Sequence, residues 1–265
     1  MLAPRKSLGQ NFLRDENIAR KIVESLRIKP RDIILEIGPG QGDLTKFLLE
    51  GSSTVVGVEL DPRAAHLLQE RFGARLRLLE ADILTLNLEN IAEQYGRRPC
   101  IVGNIPYYIT SDILFWVFDQ RVWITHATLM MQLEVATRLV ARPGTKAYGI
   151  LSVFSQLFAD TQLLFKVSRN SFHPRPQVDS AVVRFEFQKP SPETDERFLR
   201  NIVRRSFGAR RKTLKNSLKM MGFADHQLDR VAFDLSQRPE QLTPSDFVRL
   251  SALLRPLSQT IPLKF

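Results

Sequence analysis

Cysteine is nearly absent. The 265-residue chain holds one, Cys100, so no internal disulfide can form and no cysteine-based zinc site can be assembled. Such usage suits a reducing compartment. No run of 18 apolar residues occurs, so no membrane-spanning helix is expected. The N-terminal "MLAPRKSLGQNFL" lacks the apolar core of a secretory signal, and a cytoplasmic location is the expectation. Histidine is scarce too. His66, His126, His173 and His226 show neither metal-site nor triad spacing, which leaves them surface or capping roles. Internal repeats and low-complexity tracts are missing.

Acidic residues are outnumbered. Lys plus Arg is 38 and Asp plus Glu is 28, a net charge of +10 that favours a polyanionic partner. The composition, 43% hydrophobic and 25% charged, supports one large domain, alone or with a smaller appendage.

Short apolar segments at 32–38, 54–60, 75–82, 100–105 and 127–132 read as strands buried on both faces. Helix-like runs separate them. In "DPRAAHLLQERF", Asp61 suits an N-cap, Pro62 the first helical position, and Ala64, Leu67, Leu68 and Phe72 one apolar face. This alternation predicts an α/β, doubly wound, mostly parallel sheet. Segments 163–169 and 180–187 read as an antiparallel edge. The polar stretch 188–195, with two prolines, reads as a linker before a small all-helical lobe. The domains are therefore placed at 1–190 and 191–265.

The loop "LEIGPGQGDLT" follows the first of these strands. Gly38, Gly40 and Gly42 let the backbone turn and approach a ligand. Position six of the motif is Asp43, not the glycine of dinucleotide enzymes. Glu59, 21 residues after Gly38, ends the next strand and can accept both hydroxyl hydrogens of a ribose. Asp82 ends the third and can accept from an adenine amino group. Alone, the glycines fit an ordinary turn and Glu59 fits a helix cap. Together the set suits an adenosine ligand without a pyrophosphate, S-adenosylmethionine rather than NAD. Leu60 and Ile83, which follow the two acids, are counted in the same cofactor-binding set.

At "NIPYYIT", Asn104 ends the fourth strand. Pro106 fixes its own φ and pushes Ile105 toward extended backbone. The Asn104 side-chain oxygen and the Ile105 carbonyl offer two fixed acceptors, which suits an exocyclic amine, and Tyr107 can stack on the ring that carries it. An adenine N6 is a poor nucleophile because its lone pair is delocalised. Acceptors at its hydrogens favour a pyramidal nitrogen, so orientation and preorganised electrostatics replace a strong base. The bland alternative is a proline-bearing turn with both tyrosines packed inside and Thr110 or Ser111 capping the next helix. For Tyr108, packing is the expectation.

Residues 204–219 hold Arg204, Arg205, Arg210, Arg211, Lys212, Lys215 and Lys219 and no acid. With no local carboxylate to pair, phosphate binding is expected, and Gly208 is placed to split the run into two helices. Residues 191–265 hold 14 basic and 8 acidic side chains, +6 of the total.

These motifs resemble, in order and over nearly the whole chain, the KsgA family of small-subunit rRNA adenine N6,N6-dimethyltransferases. "KSLGQNFL", "EIGPGQGDLT", "NIPYYIT", "FHPRPQVDSAVVRF" and "RRKTLKNSL" carry the resemblance. It implies a Rossmann-like class I methyltransferase sheet that converts S-adenosylmethionine to S-adenosylhomocysteine. It places Asn11 and Leu13 on the methionine part, Gly38 beneath the cofactor, and Asn104 on both cofactor and target amine. Tyr107 and Phe172 would sandwich the flipped adenine. The implied substrate is two adjacent adenosines near the 3′ end of 16S rRNA in an immature small subunit, met by a monomer with no membrane partner. Ile105 and Tyr108 stand where many members carry Leu and Asn. The rival readings are a 23S rRNA adenine methyltransferase of the antibiotic-resistance type and a non-catalytic RNA-binding assembly or transcription factor. The first and last motifs lean toward KsgA, and the presence of Glu59, Asp82 and Asn104 argues for an active enzyme.

Overall fold

The computed structural model describes residues 3, 5, 9–51, 54–190, 192 and 194–258. Lys6, Ser7 and Leu8 of the first motif, and Ser191 and Glu193 of the expected linker, lie outside the described residues. Nine strands form among those described: β1 (Phe12–Leu13), β2 (Ile33–Ile37), β3 (Thr54–Glu59), β4 (Leu76–Glu80), β5 (Cys100–Asn104), β6 (His126–Gln132), β7 (Asp160–Val167), β8 (Phe172–His173) and β9 (Ser180–Glu186). The helices are α1 (Glu16–Ser25), α2 (Thr45–Gly51), α3 (Pro62–Phe72), α4 (Leu88–Tyr95), α5 (Thr110–Asp119), α6 (Leu133–Leu139), α7 (Ile150–Phe158), α8 (Glu196–Gly208), α9 (Leu214–Met220), α10 (Asp225–Leu228) and α11 (Pro244–Ser258).

Seven strands make one sheet in the order β4-β3-β2-β5-β6-β9-β7. The first five are parallel, and β9 runs antiparallel to both β6 and β7, so the expected doubly wound sheet with an antiparallel edge is found. Strands β2, β5 and β6 are buried through their middles because helices cover both faces. The exception is β4. Read as a buried strand, it is the sheet's edge, and only Leu76 is fully buried there. A second, two-residue sheet pairs β1 with β8, setting Leu13 opposite Phe172 and Phe12 opposite His173. Strand order reverses between β2 and β5, and that switch point opens a crevice at the carboxyl ends of the strands.

The chain divides into two compact units. One holds the described residues of Met1–Ala136 and Ala159–Gln188. The other holds those of Thr137–Phe158 and Lys189–Phe265, so residues 137–158, which precede the expected boundary at 190, group with the helical segments. Within the second unit α7 packs on α8 and α11, and the Arg200 guanidinium lies 5.4 Å above the rings of both Phe154 and Phe158. In α8 the residues Phe198, Leu199, Ile202, Val203 and Ser206 form the buried stripe of an amphipathic helix capped by Asp195. Gly208 ends it as expected, and Thr213 caps the next helix by accepting from the Asn216 N–H.

Two polar groups are buried in the sheet unit. His126, expected at the surface, is largely covered, with Nδ1 3.6 Å from the Cys100 sulfur and Nε2 buried without a partner. Burial lowers its affinity for a proton and raises the Cys100 thiol, so both are held neutral. At the top of β2, the Glu36 carboxyl is 2% exposed and accepts a 2.7 Å hydrogen bond from the Thr45 hydroxyl of α2. Desolvation pushes its pKa from 4.5 to about 8.

The Glu36 environment makes stability fall as pH rises. Between pH 4.5 and about 8 the folded chain keeps a proton on Glu36 that the unfolded chain has lost, so alkaline conditions favour unfolding across that window. Glu36→Gln keeps the acceptor for Thr45 and removes the titration. Urea unfolding at pH 6 and pH 9 is expected to show a shallower pH dependence for the variant; an unchanged slope would show that another group carries it.

Candidate active site

The crevice is built from four strand ends, those of β2, β3, β4 and β5, and from the segment Gly9–Leu13 that includes β1. Gly38 and Gly40, at φ +62 and +60, form its floor after β2. A Cβ placed on Gly38 would meet no protein atom within 4 Å, so the loop leaves a cradle that any larger residue would fill. Glu59, buried at the tip of β3, accepts 2.9 Å hydrogen bonds from the Gly40 N–H and the Asp61 N–H, one at each carboxylate oxygen. Each oxygen keeps acceptor capacity. Burial pushes the Glu59 pKa up, and the backbone donors of Asp61, Gly40 and Leu60 hold it down.

Asp82 follows β4 and accepts from the Leu84 N–H at 2.9 Å, capping a short helical turn that begins at Ile83. Both residues line the crevice, as does the half-exposed Leu60. The adenosine-type features seen in the sequence therefore stand around one cavity. The acceptors of this set fit the hydroxyls and amine of a nucleoside.

On the other side of the switch point, Asn104 ends β5. Its side-chain N–H donates to the Asn11 backbone carbonyl at 2.9 Å, which leaves its oxygen as the acceptor. The Ile105 N–H donates to the Met130 carbonyl at 3.1 Å, so the loop after β5 is tied to β6. Pro106 has φ −60 and ψ 136, the extended geometry that carries the chain away from the sheet. The Tyr107 hydroxyl shares a 2.7 Å hydrogen bond with the buried Ser180 hydroxyl at the start of β9, and burial raises the Tyr107 pKa. Thr110 does not cap α5. Its hydroxyl donates to the Pro106 and Tyr107 carbonyls and braces the turn from within.

Asn11 and Leu13 also line the cavity, held there by the β1–β8 pair. Phe172 does not. It is 4% exposed in a core cluster with Leu13, Val167 and Val182, opposite Leu13, which does line the cavity. Tyr108 departs from its expected packing role as well: it is 54% exposed and borders the opening.

Sequence reasoning overlooked a strap. Gln10 Nε2 donates to Asp61 Oδ2 at 3.2 Å, and Arg63 donates three further hydrogen bonds to the same carboxylate, one from its backbone N–H and two from its guanidinium. The Arg63 contacts hold the Asp61 pKa down to about 2, so the strap is anchored on a fixed charge. Gln10 lies inside "GQNFL", but nothing in that motif announces a partner 51 residues away.

The basic run is less uniform than its sequence. Lys215 pairs with Asp229 at 2.7 Å, Lys219 with Asp225 at 2.8 Å, and Arg210 with Glu240 at 2.6 Å. Carboxylates from α10 and later segments supply the acids that the run itself lacks. Arg204, Arg205, Arg211 and Lys212 are exposed.

The family model described as ribosomal RNA adenine dimethylase matches residues 1–255. A protein of Chlorobium phaeobacteroides (strain BS1) named Ribosomal RNA small subunit methyltransferase A is 48% identical over 97% of this chain and 95% of its own length. The crystal structure of a dimethyladenosine transferase from Plasmodium falciparum superposes with a TM-score of 0.78 at 28% identity, covering 94% of this chain and 98% of that one. The 23S rRNA methyltransferase ErmE gives 0.66 at 29% identity, over 92% of this chain and 99% of its own. The chain belongs to the ribosomal RNA adenine dimethylase family.

Proposed function

We propose that this protein dimethylates N6 of two adjacent adenosines near the 3′ end of 16S rRNA. The observation that carries the chemistry is the orientation of Asn104. Its N–H is committed to the Asn11 carbonyl, so its oxygen is the group left to accept a hydrogen from the target amine. The Ile105 carbonyl accepts the second, and Pro106 sets its direction. Tyr107, fixed through Ser180, stacks the target base.

S-adenosylmethionine would supply the methyl group, already activated on a sulfonium. The residues present fit it: Glu59 for the ribose hydroxyls, Asp82 for the adenine amine, Leu60 and Ile83 for the base faces, Asn11, Leu13, Gly38 and Gly40 for the methionine end. Phe172, buried opposite Leu13, would act through β1 by holding the Asn11 carbonyl in place rather than by touching the base. The enzyme would work as a cytoplasmic monomer on immature small subunits. The small-subunit choice is supported by the name and near-complete coverage of the Chlorobium relative, against the lower identity to the 23S enzyme.

The second unit is proposed to hold RNA. Arg211 and Lys212 would contact phosphates directly, and Arg204 and Arg205 would add to the positive field. Arg210, Lys215 and Lys219 would contribute field while their carboxylate partners fix the helices.

Asn104→Ala is expected to lower methyl transfer by about 100- to 1,000-fold with RNA binding retained. Asn104→Asp is expected to fail too, because a carboxylate would face the Asn11 carbonyl. Tritiated S-adenosylmethionine with unmethylated small subunits, followed by nucleoside analysis for N6,N6-dimethyladenosine, checks both; wild-type transfer by Asn104→Ala would refute the mechanism. Primer extension on both large rRNAs checks the substrate, and modification confined to 23S rRNA would reverse the choice. The double change Arg211→Ala with Lys212→Ala is expected to weaken RNA binding and reduce the slope of log affinity against log salt by about 2. An unchanged slope in a salt titration would remove these two residues from the interface.

A further inference from the structure

Tyr108 takes no part in the arrangement above, yet it is the one Phe, Tyr or Trp ring classed as exposed among the described residues, at 54%. Its neighbour Tyr107 is half-buried with its hydroxyl bonded to Ser180. Among the described residues the Tyr108 hydroxyl has no hydrogen-bond partner. The ring is placed instead by Gly9. A Cβ on Gly9 would lie 3.0 Å from Tyr108 Cδ1, and Gly9 has φ +56, so both space and backbone reserve that position for glycine. The strap thus steadies one edge of the ring and leaves the rest in solvent at the opening.

A large flat surface held at the mouth of a site, but not buried in it, is suited to a partner that arrives from outside. Its position favours RNA over the cofactor. The acids proposed to hold the cofactor stand at the end of β3 and just after β4, whereas Tyr108 follows β5 directly after the ring proposed to stack the target adenine. Withdrawing one base from a stack bares the face of the next one, and an aromatic side chain can cover it irrespective of base identity.

We propose that Tyr108 is a stacking platform for the RNA base adjacent to the adenine in the site, a positioning residue for the substrate. The proposal rests on the methyl-transfer reading above. It gives the two consecutive tyrosines different duties: Tyr107 receives the base that reacts, and Tyr108 receives its neighbour.

The test measures KM separately for unmethylated small subunits and for S-adenosylmethionine, with the full chain and four variants. Tyr108→Ala and Tyr108→Leu are expected to raise KM for subunits about tenfold and leave KM for S-adenosylmethionine within about twofold. Tyr108→Phe and Tyr108→Trp keep a flat ring and are expected to retain the wild-type value. Leu preserves an apolar contact with Gly9, so its failure would report loss of the flat face and not of folding; matching thermal unfolding curves check this. A shift confined to KM for S-adenosylmethionine would make Tyr108 a cofactor gate and overturn the platform. So would wild-type values for the Ala and Leu variants, or a Phe variant as impaired as Ala. A wild-type chain inactive on subunits would overturn the methyl-transfer reading itself, and this proposal with it.

Discussion

The site depends on one hydrogen bond, from the Asn104 amide to the Asn11 carbonyl. An unrestrained asparagine offers a donor and an acceptor at either end of a rotatable amide. Committing the N–H to a carbonyl 93 residues away converts it into an acceptor with a fixed direction. The bond also closes the cavity, because it joins the tip of a central strand to a segment outside the large sheet. That segment is also held by the two-residue β1–β8 pair below, by Gln10 on Asp61 at one side, and by the Tyr108 ring at Gly9.

The electrostatics follow the same division between fixed and adjustable groups. Asp61 is pinned as an anion by Arg63 and serves as an anchor. Burial pushes the Glu59 carboxyl up, opposed by the backbone donors of Asp61, Gly40 and Leu60, and each of its oxygens keeps acceptor capacity for a sugar hydroxyl. Glu36, deeper and with the Thr45 hydroxyl as a donor, keeps its proton near neutrality. Three carboxyls near the glycine loop thus differ through their surroundings: Arg63 holds Asp61 down, whereas desolvation raises both Glu59, against its amide donors, and Glu36.

The central strands were legible because apolar runs of five to seven residues between amphipathic helices admit few arrangements. Asp61 and Pro62 likewise announced the start of α3. What sequence could not show was distant pairing. Two-residue strands have no periodicity, so β1 and β8 left no trace, and the burial of Phe172 followed from a partner that local reading could not supply. The basic run misled for a related reason: its compensating acids lie up to 30 residues away, on other segments. Edge position also overrode composition in β4, whose hydrophobic sequence suggested two covered faces.

The helical unit is discontinuous along the chain. Residues 137–158 leave the sheet unit between β6 and β7, and their packing partners in α8 and α11 are synthesised only after β9. During translation, Phe154 and Phe158 therefore emerge well before the surface that will cover them. No single cut separates the two units. Truncation after residue 190 would yield a sheet carrying an orphaned apolar helix, and a segment beginning there would lack part of its own core. Recombination between relatives faces the same constraint: an exchanged C-terminal lobe must bring its own 137–158 insert with it.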